Sequence, residues 1–332
     1  MWAKSRYYLF LVFIILVSFS LLKCKSLSTS SSFSIKENPF PSDNALTKDK
    51  IELGRKLFFD KRLSINETVS CATCHIPQFA FTDQKKISEG VLGRKTDRNS
   101  PSILNSAFLK TVLYDAFLPT LEMQVIVPIQ EHVEMDMSMP ELMQRLKAIE
   151  EYQVAAKKIF NRDFDPWVLT RSIASFERSL ISNNSRFDQF YYQKNKNALT
   201  KSEKAGWKLF SEKLYCTKCH PAPFFTTFLP AKNGVYMESD KDKGRFRVTE
   251  DSTDIGNFKI PSLRNIELTF PYMHNGSLNS IEEVISHYSK GGLNNKYSNQ
   301  IIKPFNLNST DINNLKAFLF SLTDTSYMKE FR

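Results

Sequence analysis

Cysteine and histidine are scarce in this 332-residue chain, five of each, and glycine numbers only 10. No long Pro/Gly/Ser tract dominates, which leaves a globular protein rather than a low-complexity one. No basic run is interleaved with stacking aromatics, so nucleic acid is a poor partner despite a formal charge of +10. No convincing series of alternating strands is present. The uncharged stretch from Tyr7 to Leu22 has 16 residues, short of the roughly 20 that cross a bilayer as a helix. What is there is a chain 42% hydrophobic, long enough for about two domains.

Lys4 and Arg6 ahead of the uncharged run read as an export signal, residues 1–24, cleaved rather than kept as an anchor. Cys24 stands where a bacterial lipoprotein signal carries its lipidated cysteine. Lys23 precedes it where a small residue is usual, so a lipid anchor at Cys24 stays open. The serine-rich residues 25–36 read as a flexible tether. Without residues 1–23 the charge falls to +7, a balance that repels a basic protein partner and attracts an acidic one.

The remaining four cysteines form two C-x-x-C pairs, and each pair is followed by histidine. In an exported chain two disulfides are the plain alternative. Cys71-Ala72-Thr73-Cys74-His75 and Cys216-Thr217-Lys218-Cys219-His220 instead match the attachment motif of c-type haem. Two thiols one helical turn apart reach the two vinyl groups on one porphyrin edge. The following imidazole then lies under the iron, making His75 and His220 the proximal ligands.

A weak internal repeat accompanies the motifs. Gly54-Arg55-Lys56-Leu57-Phe58 precedes the first and Gly206-Trp207-Lys208-Leu209-Phe210 the second. Both segments read as amphipathic helices, with Thr47 and Thr200 as N-caps. Further helices are expected over Pro140–Phe160, over Pro166–Ile181 with Pro166 in the first turn, and over Asp311–Leu322 capped by Thr310. The fold class is all-α: two tandem cytochrome c-like domains, 37–192 and 193–332, each with one covalently bound c-type haem. The C-terminal helix is expected to pack back on the first domain.

Several segments resemble the bacterial di-haem cytochrome c peroxidase family, which includes MauG. They are Asp83 to Asn105, Tyr114 to Glu134, Phe176-Glu177-Arg178 with Asn184-Ser185-Arg186-Phe187-Asp188, and Pro261-Ser262-Leu263-Arg264-Asn265 through Tyr288-Ser289-Lys290-Gly291-Gly292. The resemblance spans about residues 37–325 and implies a periplasmic enzyme, often a homodimer. It makes Glu134, in Val133-Glu134-Met135, the acid/base over the peroxide-binding haem, although Glu131-His132 replace the usual Asn-Pro. Gln124 matches the family's distal glutamine. Tyr114 stands where the family has a tryptophan between the haems, and a tyrosine relays an electron only with loss of a proton. Many members cap the first iron with a histidine after Ser-x-Gly. Here Ser88-Glu89-Gly90 is followed by Val91, which cannot ligate, so the first haem is expected to be five-coordinate or to hold only water. His132 is the rival cap.

Tyr288 lies 14 residues after the histidine of Pro271-Tyr272-Met273-His274, where many members place a methionine ligand. The resemblance to MauG makes Tyr288 the sixth ligand of the second iron, with His287 and Met273 as rivals and a packed helix aromatic as the bland reading. A phenolate favours ferric iron. The family's calcium site falls on Asn99 and the carbonyls of Thr269 and Pro271, oxygen donors that suit a hard cation. His274 is expected to support the haem pocket. The implied activity is reduction of hydrogen peroxide, with electrons from a small cytochrome or cupredoxin. Two alternatives are a MauG-like oxidase acting on tyrosine or tryptophan of a protein substrate, and a non-catalytic electron carrier.

Overall fold

The structure is a computed structural model and describes residues 40–237, 239–293, 297 and 299–331. The export signal, the tether and Cys24 lie outside the described residues. Among the described residues no helix is long and apolar enough to cross a membrane.

Among the described residues nine α-helices of six or more residues carry the fold: α1 (Lys48–Phe59), α2 (Leu121–Gln130), α3 (Met139–Lys147), α4 (Glu150–Phe160), α5 (Pro166–Ser179), α6 (Arg186–Tyr191), α7 (Lys201–Lys208), α8 (Ile281–Ser289) and α9 (Ser309–Phe320). The described strands, β1 (Pro230–Lys232) and β2 (Asn257–Lys259), form one short antiparallel pair. Thr47 and Thr200 do cap α1 and α7, accepting from the backbone N–H of Lys50 and Glu203. Pro166 opens α5, where Asp165 accepts from Val168 N at 2.9 Å.

Two boundaries differ from the sequence expectation. The Pro140–Phe160 stretch is two helices, α3 and α4, broken where Ile149 turns extended and serves as the uncapped start of α4. The last helix starts earlier than Asp311, at Ser309, and its cap is Asn308 rather than Thr310. Asn308 reaches Asp311 N at 2.8 Å, and asparagine is as good a cap as threonine.

The apolar faces collect into two main cores. One packs Leu57, Phe58, Phe81, Leu146, Ile173 and Phe176 together. The other packs Phe187, Phe210, Phe225, Ile285, Phe318 and Leu319 together. The final helix belongs to the second core. It is the terminal 3₁₀ segment Ser326–Phe331 that lies on the first, through Tyr327, Met328 and Phe331.

The sequence repeat has a structural reason. A Cβ on Gly54 would stand 1.9 Å from the Ser172 carbonyl oxygen, and one on Gly206 would stand 1.9 Å from that of Asn314. Each glycine therefore lets one helix cross another at near contact, α1 over α5 and α7 over α9. Phe58 then meets Phe176 at 5.0 Å between ring centroids, and Phe210 meets Phe318 at 5.0 Å. Alanine would gain up to about 1 kcal/mol of helix propensity. Overpacking costs about 1–3 kcal/mol and should win. Gly54→Ala and Gly206→Ala are each expected to lower the denaturation midpoint; an unchanged midpoint would show that the crossing can relax.

Candidate functional site

Each C-x-x-C-H motif folds as a single turn. His75 N donates to Cys71 O at 2.9 Å and His220 N to Cys216 O at 2.8 Å, which gathers both thiols and the imidazole. The four cysteines are free thiols in the structure, so the disulfide alternative is not realised. His75 Nδ1 lies 2.9 Å from the Phe81 carbonyl oxygen, and His220 Nδ1 lies 2.9 Å from that of Phe225. A carbonyl can only accept, so Nδ1 carries the proton and Nε2 is left for a metal. Burial holds both imidazoles below their ordinary titration range, His220 to about 4, which keeps them neutral.

The two turns rest on a second repeat that the sequence reading passed over. Pro101-Ser102-Ile103-Leu104-Asn105 recurs as Pro261-Ser262-Leu263-Arg264-Asn265. Ser102 Oγ donates to Ala80 O and Ser262 Oγ to Phe224 O, both at 2.6 Å, just before the carbonyls that hold the histidines. Asn105 and Asn265 both take the left-handed conformation, with φ of 61° and 58°. The signal, Pro-Ser-x-x-Asn twice at a fixed offset, was visible in the chain.

Around the first turn carboxyl groups predominate, with Lys85 also acting on Cys74. α2 ends after Pro128, and the chain reverses through Met135 N to Pro128 O (3.2 Å) and Met137 N to Ile129 O (2.8 Å). Met135 and Met137 are buried and anchor this reversal, and Val91 N donates to Glu134 O at 2.8 Å. Glu134 is thereby held with partial access to the site but enough surrounding protein to be poorly solvated. Burial, and then the nearby Glu131, push its carboxyl up to about 7. Its charge acts on both the Cys71 and Cys74 thiols, which places the carboxyl in the neighbourhood of the attachment turn. Gln124 is half-buried on α2. Glu177, read in the sequence only as part of a matching segment, is a further buried carboxyl here. It acts on Cys71, and burial pushes it up to about 8.

Val91 is fully buried against this segment. His132 is exposed and pairs with Asp136 at 3.2 Å, beside Arg94, also at 3.2 Å. His132→Ala is therefore expected to leave the resting optical spectrum unchanged, with a high-spin component from the first haem already present in wild type. A spectrum showing only six-coordinate low-spin haem would contradict this.

The second turn opens into a cavity of about 600 Å³. Cys216, Cys219, His220, Tyr288 and Met273 all border it, as do Asn99, Thr269 and Pro271. His287 does not; its Nε2 donates to Asn233 O at 2.9 Å. Tyr288, on α8, has its hydroxyl driven upward by burial and then by the Cys219 and Cys216 thiols. It thus stands beside the cysteine pair. Met273 takes φ +75° and its sulfur accepts from Asn233 Nδ2 at 3.4 Å.

Tyr114 also borders this cavity, and its hydroxyl donates to Asn99 Oδ1 at 3.4 Å. Residues of the second half grip its backbone. Lys259 N donates to Tyr114 O at 2.6 Å, and Arg245 Nη1 donates to Ala116 O at 2.9 Å. Fully buried Asp115 pairs with Arg98 at 3.2 Å and with Arg247. His274 is buried and stacks on Phe258 at 3.6 Å between centroids, and its Nδ1 has no hydrogen-bond partner. Among the described residues no group of three or more His, Cys, Asp or Glu side chains is placed to hold a metal ion.

Two neutral histidines with free Nε2 atoms, each with two thiols on its own turn of a helical scaffold, define a haem-binding protein of the c-type cytochrome class. A family model described as di-haem cytochrome c peroxidase matches residues 48–197. The cytochrome-c peroxidase IdrP1 of Pseudomonas sp. is 32% identical over 320 residues, 86% of this chain and 83% of that one. The methylamine utilization protein MauG of Methylorubrum extorquens is 34% identical over 286 residues, covering 86% and 81%. A solved MauG-like protein associated with microbial copper homeostasis superposes with a TM-score of 0.78 at 32% identity, covering 89% of this chain and 96% of that one. The chain belongs to the di-haem cytochrome c peroxidase family, and is accordingly a haem-dependent oxidoreductase.

Proposed function

We propose that this protein is a periplasmic peroxidase that reduces hydrogen peroxide to water with electrons from a small cytochrome or cupredoxin. One observation carries the reading: a poorly solvated carboxyl, Glu134, lies in the neighbourhood of the first attachment turn, beside the buried Val91. The residues fit c-type haem, with Cys71, Cys74 and His75 holding one group and Cys216, Cys219 and His220 the other, in tandem domains 37–192 and 193–332. Haem supplies the redox chemistry, two-electron cleavage of peroxide at one centre and one-electron transfer at the other.

The protein's own part is proton handling. Glu134, as carboxylate, takes the proton from one peroxide oxygen and returns it to the other, so that the leaving oxygen departs as water. Gln124 orients peroxide by hydrogen bonding. Tyr114, fixed at the cavity wall, is the aromatic relay between the centres. A calcium ion would be held by Asn99 Oδ1 and the carbonyls of Thr269 and Pro271. The weak 3.4 Å contact with Tyr114 leaves the Asn99 oxygen able to coordinate.

Tyr288 would be the sixth ligand of the second centre, a role supported by its place beside Cys216 and Cys219 and by the engagement of His287 elsewhere. Tyr288→Phe is expected to shift the second-haem spectrum and raise its potential, since an anionic donor is lost. An unchanged spectrum would return the ligand role to Met273. Tyr288 also favours a second reading, a MauG-like oxidation of tyrosine or tryptophan in a protein substrate. Steady-state peroxide turnover with a reduced cytochrome, set against turnover on candidate protein substrates, separates the two. Absence of both leaves a plain electron carrier.

A further inference from the structure

We propose that the lysine-lined mouth of the second cavity, centred on Tyr215 and Lys218, is the docking surface for a small acidic electron-carrier protein. The inference deepens the peroxidase reading and rests on it for the direction of electron flow. Its basis is a charge asymmetry between the two attachment turns. The cavity at the second turn is bordered by Lys213, Lys218, Lys232, Lys259 and Lys303, and by no aspartate or glutamate. At the first turn Glu134, Glu177 and Asp83 act on the cysteines together with a single lysine, Lys85, and the residues between those cysteines, Ala72 and Thr73, are neutral.

Lys218 lies between Cys216 and Cys219 and is exposed. In a c-type haem the thioethers form at the vinyl edge, and the two propionates leave from the opposite edge. A lysine between the thioether cysteines therefore cannot neutralise the propionates, and its charge is directed outward. Lys213 and Lys303 are exposed as well. The carboxylate near Lys213 is Asp311, at a loose 3.8 Å. Lys218 lies 5.2 Å from the Tyr215 ring centroid, a contact that leaves its charge intact.

Apolar side chains accompany these lysines. Tyr215, which precedes the first cysteine of the turn, is 58% exposed, and Ile301, two residues from Lys303, is 56%; both border the cavity. Large exposed apolar groups among charges of one sign are what a short-lived electron-transfer contact uses: charge steers the approach, and a small dry centre brings the partner close. Lysines on this side call for a partner with carboxylates around its own redox edge. The first turn has no lysine between its cysteines, so the steering charge lies at the second turn.

The test is stopped-flow reduction of the oxidised holoprotein, without peroxide, by a reduced acidic c-type cytochrome and by a reduced basic one. The optical change of the second haem is followed. The acidic carrier is expected to react faster at low salt and to slow by about tenfold or more between roughly 20 and 200 mM salt. Lys303→Glu should weaken this dependence, with both haems still attached and reduction by neutral hydroquinone unchanged, and adding Lys218→Glu should weaken it further. Lys303 lies outside the attachment motif and serves as the variant free of any effect on haem incorporation. A faster basic carrier, a rate indifferent to salt, or charge reversal without effect would overturn the proposal. Salt-sensitive reduction by the acidic carrier in a protein that fails to turn over peroxide would support the docking surface and overturn the peroxidase reading alone.

Discussion

Glu134→Gln is expected to lower peroxide turnover by about 10²–10⁴-fold, the range of a lost general acid–base. Glutamine keeps the size and a carbonyl acceptor but cannot take a proton, so peroxide binding should suffer less than turnover. The pH dependence carries a second signature. The Glu134 carboxyl is pushed up to about 7 by burial and by Glu131, and it works as base only when ionised. Turnover per free enzyme should therefore rise with pH up to about 7 and level off above it. That acid limb should vanish in Glu134→Gln, and a limb that persists in the variant would assign the proton transfer to another group.

The same shift has a stability consequence. The folded-state pKa is raised above the unfolded value, so the folded state binds the extra proton more readily. The associated stability is fully present below the unfolded pKa of about 4.3 and is lost as pH rises through about 7. Glu134→Gln should therefore flatten the fall in Tm between acid and neutral pH while abolishing turnover. A site that holds a carboxyl where water cannot solvate it is less stable in its working form.

The largest effect on stability is expected from Asp188→Ala. Asp188 and Arg264 are 0% and 1% exposed at their side chains and meet through two hydrogen bonds of 2.7 and 2.8 Å. Removing one partner strands a buried charge, which costs about 3–5 kcal/mol. Asp188 also accepts from Ser185 N at 2.8 Å and Ser185 Oγ at 2.7 Å at the start of α6, so a helix cap worth about 1 kcal/mol goes with it. Arg264 Nε donates to Pro223 O at 2.9 Å, only three residues past His220. The damage should therefore reach the second haem, visible as a changed spectrum with the haem still attached. A urea midpoint lowered by much less than this would mean that water enters and solvates Arg264. Replacing both partners by apolar residues of similar volume should recover much of the loss.

How much of this could be read without coordinates depends on the range of the interaction. Haem attachment was legible because it is local: two thiols and an imidazole within one turn need no distant partner. The caps Thr47, Thr200 and Pro166 were legible for the same reason, while Asn308 was missed by two residues, within the fraying of a helix end. The Gly54 and Gly206 repeat was visible as a pattern, but its purpose, a near-contact crossing with Ser172 or Asn314, joins residues over a hundred positions apart.

By itself, then, the order of residues determined the helical class, the two attachment turns and the histidines that would serve them, since each is decided by neighbours along the chain. Only the tertiary structure decided which groups gather at each turn. It put His132 on the surface, turned His287 to Asn233, set Tyr288 by the cysteines, and sorted carboxyls to one turn and lysines to the other. The physical reason is that adjacent side chains on a helix point about 100° apart. Which of two neighbours faces a cavity is settled by what packs behind them, not by their place in the chain.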